Sequence, residues 1–138
     1  MKALTKDEVI EKISKKASPF IADMDSDEVL KVISKREALG STAIGGGIAI
    51  PHAKVPGLDN LLMLMIRSLD GVPFDSKDNR PVHILVLLLA PDNMITVYLK
   101  TLANITRLLK TPGIYQKIMK SEDEAAFHKL ITGYNTDI

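Results

Sequence analysis

Two short and almost unbroken apolar stretches limit the folds open to this chain. Leu61–Arg67 reads L-L-M-L-M-I-R, and Val82–Ala90 reads V-H-I-L-V-L-L-L-A. Both are too short for ordinary helices and are bounded by turn residues, so both read as strands buried on two faces. A strand with no polar face needs cover above and below. The expected fold is therefore α/β: a layered domain in which helices flank a mixed β-sheet on both faces.

The rest of the pattern supplies those helices. Thr5 followed by Glu8 is a capping box, with Val9, Ile10, Ile13 and Ala17 at helical spacing behind it and Pro19 as a stop. Asp25 or Ser26 can cap a second helix carrying Val29, Leu30, Val32 and Ile33, ending before Gly40. Asp70-Gly71 and Pro73 open a loop that reaches Pro81. Ile95, Leu99, Leu102, Ile105 and Leu109 repeat at helical intervals, and Pro112-Gly113 breaks that helix before a short one over Ile114–Met119. Ser121 with Glu124 is a second capping box. It opens a last helix with Phe127, Leu130 and Ile131 inward and Gly133 as its stop, which leaves Tyr134–Ile138 as a frayed tail.

At 138 residues the chain fits one domain spanning 1–138 and can bury a core without staples. Lys+Arg 18 against Asp+Glu 17 gives a net charge of +1, and no basic run stands out, so nothing points to nucleic acid. With no Cys there is no disulfide, thiolate nucleophile or Cys-based zinc site. The N-terminus lacks the apolar core of a signal peptide, and the longest apolar run, Ile84–Ala90, is far below the ~20 residues of a membrane span. A cytoplasmic domain with no membrane insertion is expected.

The chemistry concentrates in Arg36–Gly57, R-E-A-L-G-S-T-A-I-G-G-G-I-A-I-P-H-A-K-V-P-G. Gly45, Gly46 and Gly47 can take positive φ and admit a close backbone or ligand. Ile48–Ile50 reads as a short buried strand that Pro51 stops, because proline has no N–H for the ladder. His52 then falls where a strand gives way to a loop, a setting in which scaffolds present reactive side chains. On the residues alone it is either a structural ring or the functional one. Arg36 is likewise either a cation at a helix C-terminus or a fork able to clamp a phosphoryl group. His83, inside the apolar strand, reads as a packed, hydrogen-bonded histidine, and His128 as a solvated one. Gly47 is followed by Ile-Ala-Ile, so the glycines form neither a phosphate-binding G-K-[ST] loop nor a dinucleotide fingerprint. The histidines show no paired metal-ligand spacing, and neither metal nor cofactor is expected.

The segment from Arg36 to Ala53 resembles the active-site signature of the fructose/mannitol-type IIA (EIIA type-2) domains of the bacterial phosphoenolpyruvate:sugar phosphotransferase system, most closely their nitrogen-regulatory branch. G-V-P-F-D at 71–75, P-V-H-I-L-V-L-L-L-A-P at 81–91 and Y-L-K-T-L-A-N-I-T-R-L-L-K at 98–110 follow the same pattern in order. The resemblance implies a phosphotransferase in which His52 accepts a phosphoryl group from an HPr-type phosphocarrier protein and passes it to a IIB domain. The alternative is a regulatory module whose phosphorylation state selects protein partners. Arg36 matches the arginine expected beside the phosphoryl group. A second active-site histidine, in H-L-K, is common in the family, and here that position is Tyr98. Tyrosine donates a hydrogen bond but stays uncharged near neutral pH.

Overall fold

A computed structural model of the chain describes residues 4–21, 24–56, 58–120 and 134–137. Helix α1 (Lys6–Ala17) starts at the foreseen capping box: the Thr5 hydroxyl accepts the Glu8 N–H at 3.2 Å, and the Glu8 carboxylate accepts the Thr5 N–H at 3.3 Å. Helix α2 (Ser26–Glu37) is capped by Asp25, which accepts the Glu28 N–H at 2.9 Å. Strands β1 (Ala43–Gly45), β2 (Ile48–Ala49) and β3 (His52–Lys54) follow, and then the two long strands β4 (Leu62–Val72) and β5 (Val82–Ala90). Helices α3 (Ile95–Leu109) and α4 (Ile114–Lys120) and strand β6 (Tyr134–Asp137) complete the described chain.

The sheet runs β1-β2-β5-β4-β6, with β3 also paired to β5. It is mixed, as expected: β2 and β3 lie parallel to β5, β4 is antiparallel to β5, and β6 is parallel to β4. Strand β5 is the centre. Residues 84–90 are each 0% exposed, so this strand must be covered on both faces. Its side chains alternate between two cores. Leu85, Leu87 and Leu89 join Leu64 and Ile66 against α1 and α2, through Val9, Ile13, Val29 and Ile33. Ile84, Val86 and Leu88 join Met65 against α3 and α4, through Tyr98, Ile105, Leu109 and Ile118. Period-2 alternation in one strand therefore separates the helices into two layers.

Three features depart from the sequence reading. Strand β4 runs beyond Arg67 to Val72, its register broken between those residues before Val72 pairs with Val82. Gly71 (φ 83°) lies inside this irregularity, and a Cβ there would come within 2.9 Å of the Pro81 Cβ. The Asp70-Gly71 turn signal thus belongs to a bulged strand, not to a loop. Tyr134–Asp137, expected as a frayed tail, forms β6 on the free edge of β4, with Leu64 opposite Tyr134 and Arg67 opposite Asp137. Backbone pairing to an edge needs no side-chain alternation, so the sequence carried no sign of it. The helix expected from Ser121 and the histidine at 128 lie outside the described residues.

Leu87 tests the two-layer arrangement. Truncation of this fully buried side chain to alanine is expected to cost about 3 kcal/mol, read as a lower urea midpoint with an unchanged m-value.

Candidate active site

The site is built on the gap between β2 and β3. Both strands pair with β5, Ile48 opposite Ile84 and His52 opposite Leu88, and Ile50 and Pro51 lie between them. The Ile50 N–H turns away to the Thr42 carbonyl at 3.0 Å, while the Pro51 carbonyl accepts the Leu88 N–H at 2.9 Å. Pro51 therefore interrupts the strand, as its missing N–H dictates, without detaching it from β5. His52 does not begin a loop; it is the first residue of the resumed strand β3.

The interruption also supplies the imidazole with a fixed partner. His52 Nδ1 lies 2.7 Å from the Ile50 carbonyl oxygen. A carbonyl can only accept, so Nδ1 carries the proton and Nε2 keeps its lone pair. Arg36, in the last turn of α2, brings Nη2 to 3.4 Å from that Nε2, and its Nη1 donates to the Gly40 carbonyl at 3.0 Å. Tyr98, in the first turns of α3, meets the imidazole edge-on, with ring centroids 6.1 Å apart and an interplanar angle of 87°. His52, Arg36 and Tyr98 are thus gathered from three separate elements. The imidazole is half-buried and reachable.

Burial is the main influence on the charge of His52 and lowers its pKa below the ordinary 6.5. The Arg36 guanidinium lowers it further, against the opposing effects of the Ile50 carbonyl and the Glu37 carboxylate. The ring is neutral at pH 7. Tyr98, 6% exposed, has its pKa raised by burial, with Arg36 pulling the other way, so its hydroxyl keeps its proton. The group can act as a nitrogen nucleophile faced by a guanidinium fork.

The glycines expected to shape this site do something else. Gly46 (φ 65°) and Gly47 (φ 81°) form the two-residue turn of the β1–β2 hairpin, which requires positive φ. Gly46 donates its N–H to Asp78 at 2.9 Å, and a Cβ on Gly47 would sit 3.1 Å from the Tyr115 hydroxyl. This end of the hairpin is registered to Ile84, whereas His52 is registered to Leu88. Four residues of strand, about 13 Å at ~3.3 Å each, separate the two levels. Gly45, Gly46 and Gly47 therefore set the hairpin and do not line the imidazole; of the loop residues named from sequence, Pro51 alone adjoins it.

His83 is a packed histidine, as read from sequence: Nδ1 donates to the Ser68 carbonyl at 2.9 Å, and the ring stands edge-on to Tyr115. Sequence reasoning missed Glu37 and Thr42. The Glu37 carboxylate is buried, receives both the N–H and the hydroxyl of Thr42, and pairs with Lys6 at 3.0 Å. The only sequence signal was its position next to Arg36. Around the site, Leu39 (83%), Ile95 (45%) and Leu99 (59%) are exposed, Leu39 three residues after Arg36 and the other two beside Tyr98 on α3. Among the described residues no cluster of three or more His, Cys, Asp or Glu could hold a metal ion, and no helix is long and apolar enough to cross a membrane.

A two-faced α/β sheet that presents a neutral, hydrogen-bonded imidazole to an arginine defines a class of domain able to use histidine as a nucleophile. Residues 1–134 match the family model described as "Phosphoenolpyruvate-dependent sugar phosphotransferase system, EIIA 2", and the chain belongs to this family. It is similar to a nitrogen regulatory protein from Bradyrhizobium diazoefficiens, 35% identical over 95% of this chain and 85% of that one. It is also similar to a fructose-specific EIIABC component from Bacillus subtilis, 33% identical over 80% of this chain but only 18% of that protein. Among solved structures, the nitrogen regulatory protein IIA-Ntr from Neisseria meningitidis superimposes with a TM-score of 0.88 at 26% identity, covering 96% of this chain and 90% of that one.

Two outcomes follow from the geometry. In an NMR titration His52 is expected to protonate below pH 6.5, with the Nδ1–H tautomer in the neutral form. Because the folded ring binds its proton less readily than the unfolded chain does, its contribution to stability is present above pH 6.5 and lost as pH falls towards the folded value. Gly46→Ala, forced into a left-handed backbone with open space around its Cβ, is expected to lose about 1 kcal/mol in urea unfolding, leaving the His52 titration unchanged.

Proposed function

We propose that His52 is a phosphoryl acceptor and donor, and that the chain works as a phosphocarrier between protein partners. One observation carries the reading: Nδ1–H is held by the Ile50 carbonyl while the Nε2 lone pair faces Arg36. In the proposed step Nε2 attacks phosphorus in line, and the P–N bond of a donor phosphohistidine breaks. Each ring keeps its own N–H throughout, so no general base is needed. The phosphorylated His52 ring is then cationic, and the Ile50 carbonyl favours that charge. Arg36 neutralises charge on the phosphoryl oxygens, so catalysis is mostly positioning and electrostatics. Leu39, Ile95 and Leu99 offer an apolar rim on which a small donor protein of the HPr type can seat. A IIB domain is the proposed acceptor, in keeping with the fructose-specific EIIABC relative.

A regulatory reading has its own support. The nitrogen regulatory relative matches along 95% of this chain, and Tyr98 occupies the position at which the family resemblance places a second histidine. In that case the added phosphoryl charge of about −1.5 to −2 switches the binding of a protein partner at the same rim.

Incubation with a phosphorylated HPr-type donor is expected to yield an acid-labile, alkali-stable label that His52→Ala abolishes. Arg36→Ala should slow labelling on the order of a hundredfold. A His52→Ala protein that labels like the wild type would refute the assignment. Chase of the label onto a IIB cysteine supports carriage, whereas no transfer together with phosphorylation-dependent partner binding supports regulation.

A further inference from the structure

A closed circuit of hydrogen bonds runs through the site and begins one residue after Arg36. Glu37, the last residue of α2, accepts the Thr42 N–H at 3.2 Å on Oε2 and the Thr42 hydroxyl on Oε1. The Thr42 carbonyl accepts the Ile50 N–H at 3.0 Å, and the Ile50 carbonyl accepts Nδ1–H of His52 at 2.7 Å. The other ring nitrogen faces Arg36, which returns the path to α2. Each link uses the other backbone group of the residue before it, or the other ring nitrogen, so Thr42 and Ile50 are each held on both sides of their Cα. The circuit is anchored by charge. The Glu37 side chain is 3% exposed and the Lys6 side chain 17%, and their Nζ–Oε2 distance is 3.0 Å. Lys6 also reaches Asp75 at 3.2 Å and lies 4.8 Å above the Phe74 ring.

We propose that Glu37 is a positioning residue for the phosphoryl acceptor. By clamping Thr42 it aims the Ile50 carbonyl at Nδ1–H and so leaves Nε2 as the unprotonated nitrogen, the one that Arg36 faces at 3.4 Å. A buried carboxylate suits this work because it accepts both donors of one residue at once, and such charge-assisted bonds are short and directional. Its position next to Arg36 in the chain means that one helix end sets both the guanidinium and the imidazole tautomer. Lys6 is the counter-ion that faces the carboxylate in its buried place, at 3.0 Å. The inference rests on His52 being the acceptor, and its central measurement does not depend on that reading.

The test is nitrogen-15 NMR of the His52 ring in the wild type, Glu37→Ala and Glu37→Gln, together with single-turnover labelling by a phosphorylated HPr-type donor. The wild type is expected to show one neutral tautomer, with the proton on Nδ1. Glu37→Ala should show a mixture of tautomers and a labelling rate lower by on the order of tenfold to a hundredfold, with half-saturation by the donor unchanged. Glu37→Gln can still hold both groups of Thr42 and should restore the single tautomer. It should also lower the His52 pKa further, because the carboxylate charge that raises it is gone. A Glu37→Ala protein with the wild-type tautomer and labelling rate overturns the proposal. Should that variant not fold, a wild-type tautomer and labelling rate in Thr42→Val, which removes the hydroxyl that Glu37 clamps, overturns it. Absence of label on the wild type refutes the acceptor reading alone, since the tautomer populations still decide the role of Glu37.

Discussion

The complete burial of residues 84–90 of β5 is the constraint from which the rest of the molecule follows. A strand with no exposed side chain must be roofed on both faces, which calls for one helix pair before it in the chain and another after it. It must also be flanked on both edges, because buried N–H and C=O groups need partners. β4 occupies one edge along nearly its whole length. The other edge is shared by two short strands in line, β2 and β3, and their junction is where the fold departs from regularity. The His52 imidazole occurs at that junction, where the Ile50 carbonyl accepts from a side chain and not from a neighbouring strand.

Pro51 shows how a small covalent fact spreads outward. Lacking an N–H, it cannot continue the ladder as donor, yet its carbonyl still holds Leu88. The chain therefore stays on the sheet while Ile50, next in the β1–β2 register after Ala49, bonds with Thr42 through its N–H and with His52 through its oxygen. Three local bonds thus convert a helix-breaking, strand-breaking residue into a device that selects one imidazole tautomer. The stability of the β5 register is what makes this selection reliable, since a slip by one residue would reverse every side chain on β3.

Much of this was legible in the sequence, and the reasons separate cleanly. The helix starts at Thr5 and Asp25 and the two apolar strands were readable because they depend on local capping and on runs of side chains. His52 was readable because glycine, proline and histidine punctuate a short stretch. What could not be read depends on partners far away in the chain. β6 is defined by an edge of β4 some seventy residues earlier, with Leu64 opposite Tyr134. The triple glycine signals positive φ correctly, but a local signal says nothing about which end of a strand the turn will serve, and Asp78 and Tyr115 claim it for the hairpin. Glu37 looks like any helix C-terminal charge until Lys6 and Thr42 are brought to it.

Tyr98 gives the site an electrostatic character of its own. A second histidine in its place would add a group that changes charge near neutral pH, and the site would then respond to pH through two coupled imidazoles. Here the hydroxyl is held neutral by burial and the guanidinium of Arg36 is cationic at any accessible pH. Within the trio, His52 alone is a group whose ordinary pKa lies near neutral pH, and burial lowers it in favour of the neutral form. On the proposed reading, the positive charge that meets an incoming phosphoryl group is a fixed quantity supplied by Arg36, with the imidazole adding its own only once Nε2 has been used. A site so arranged exchanges the extra stabilisation of a second cation for a response governed by a single ionisation.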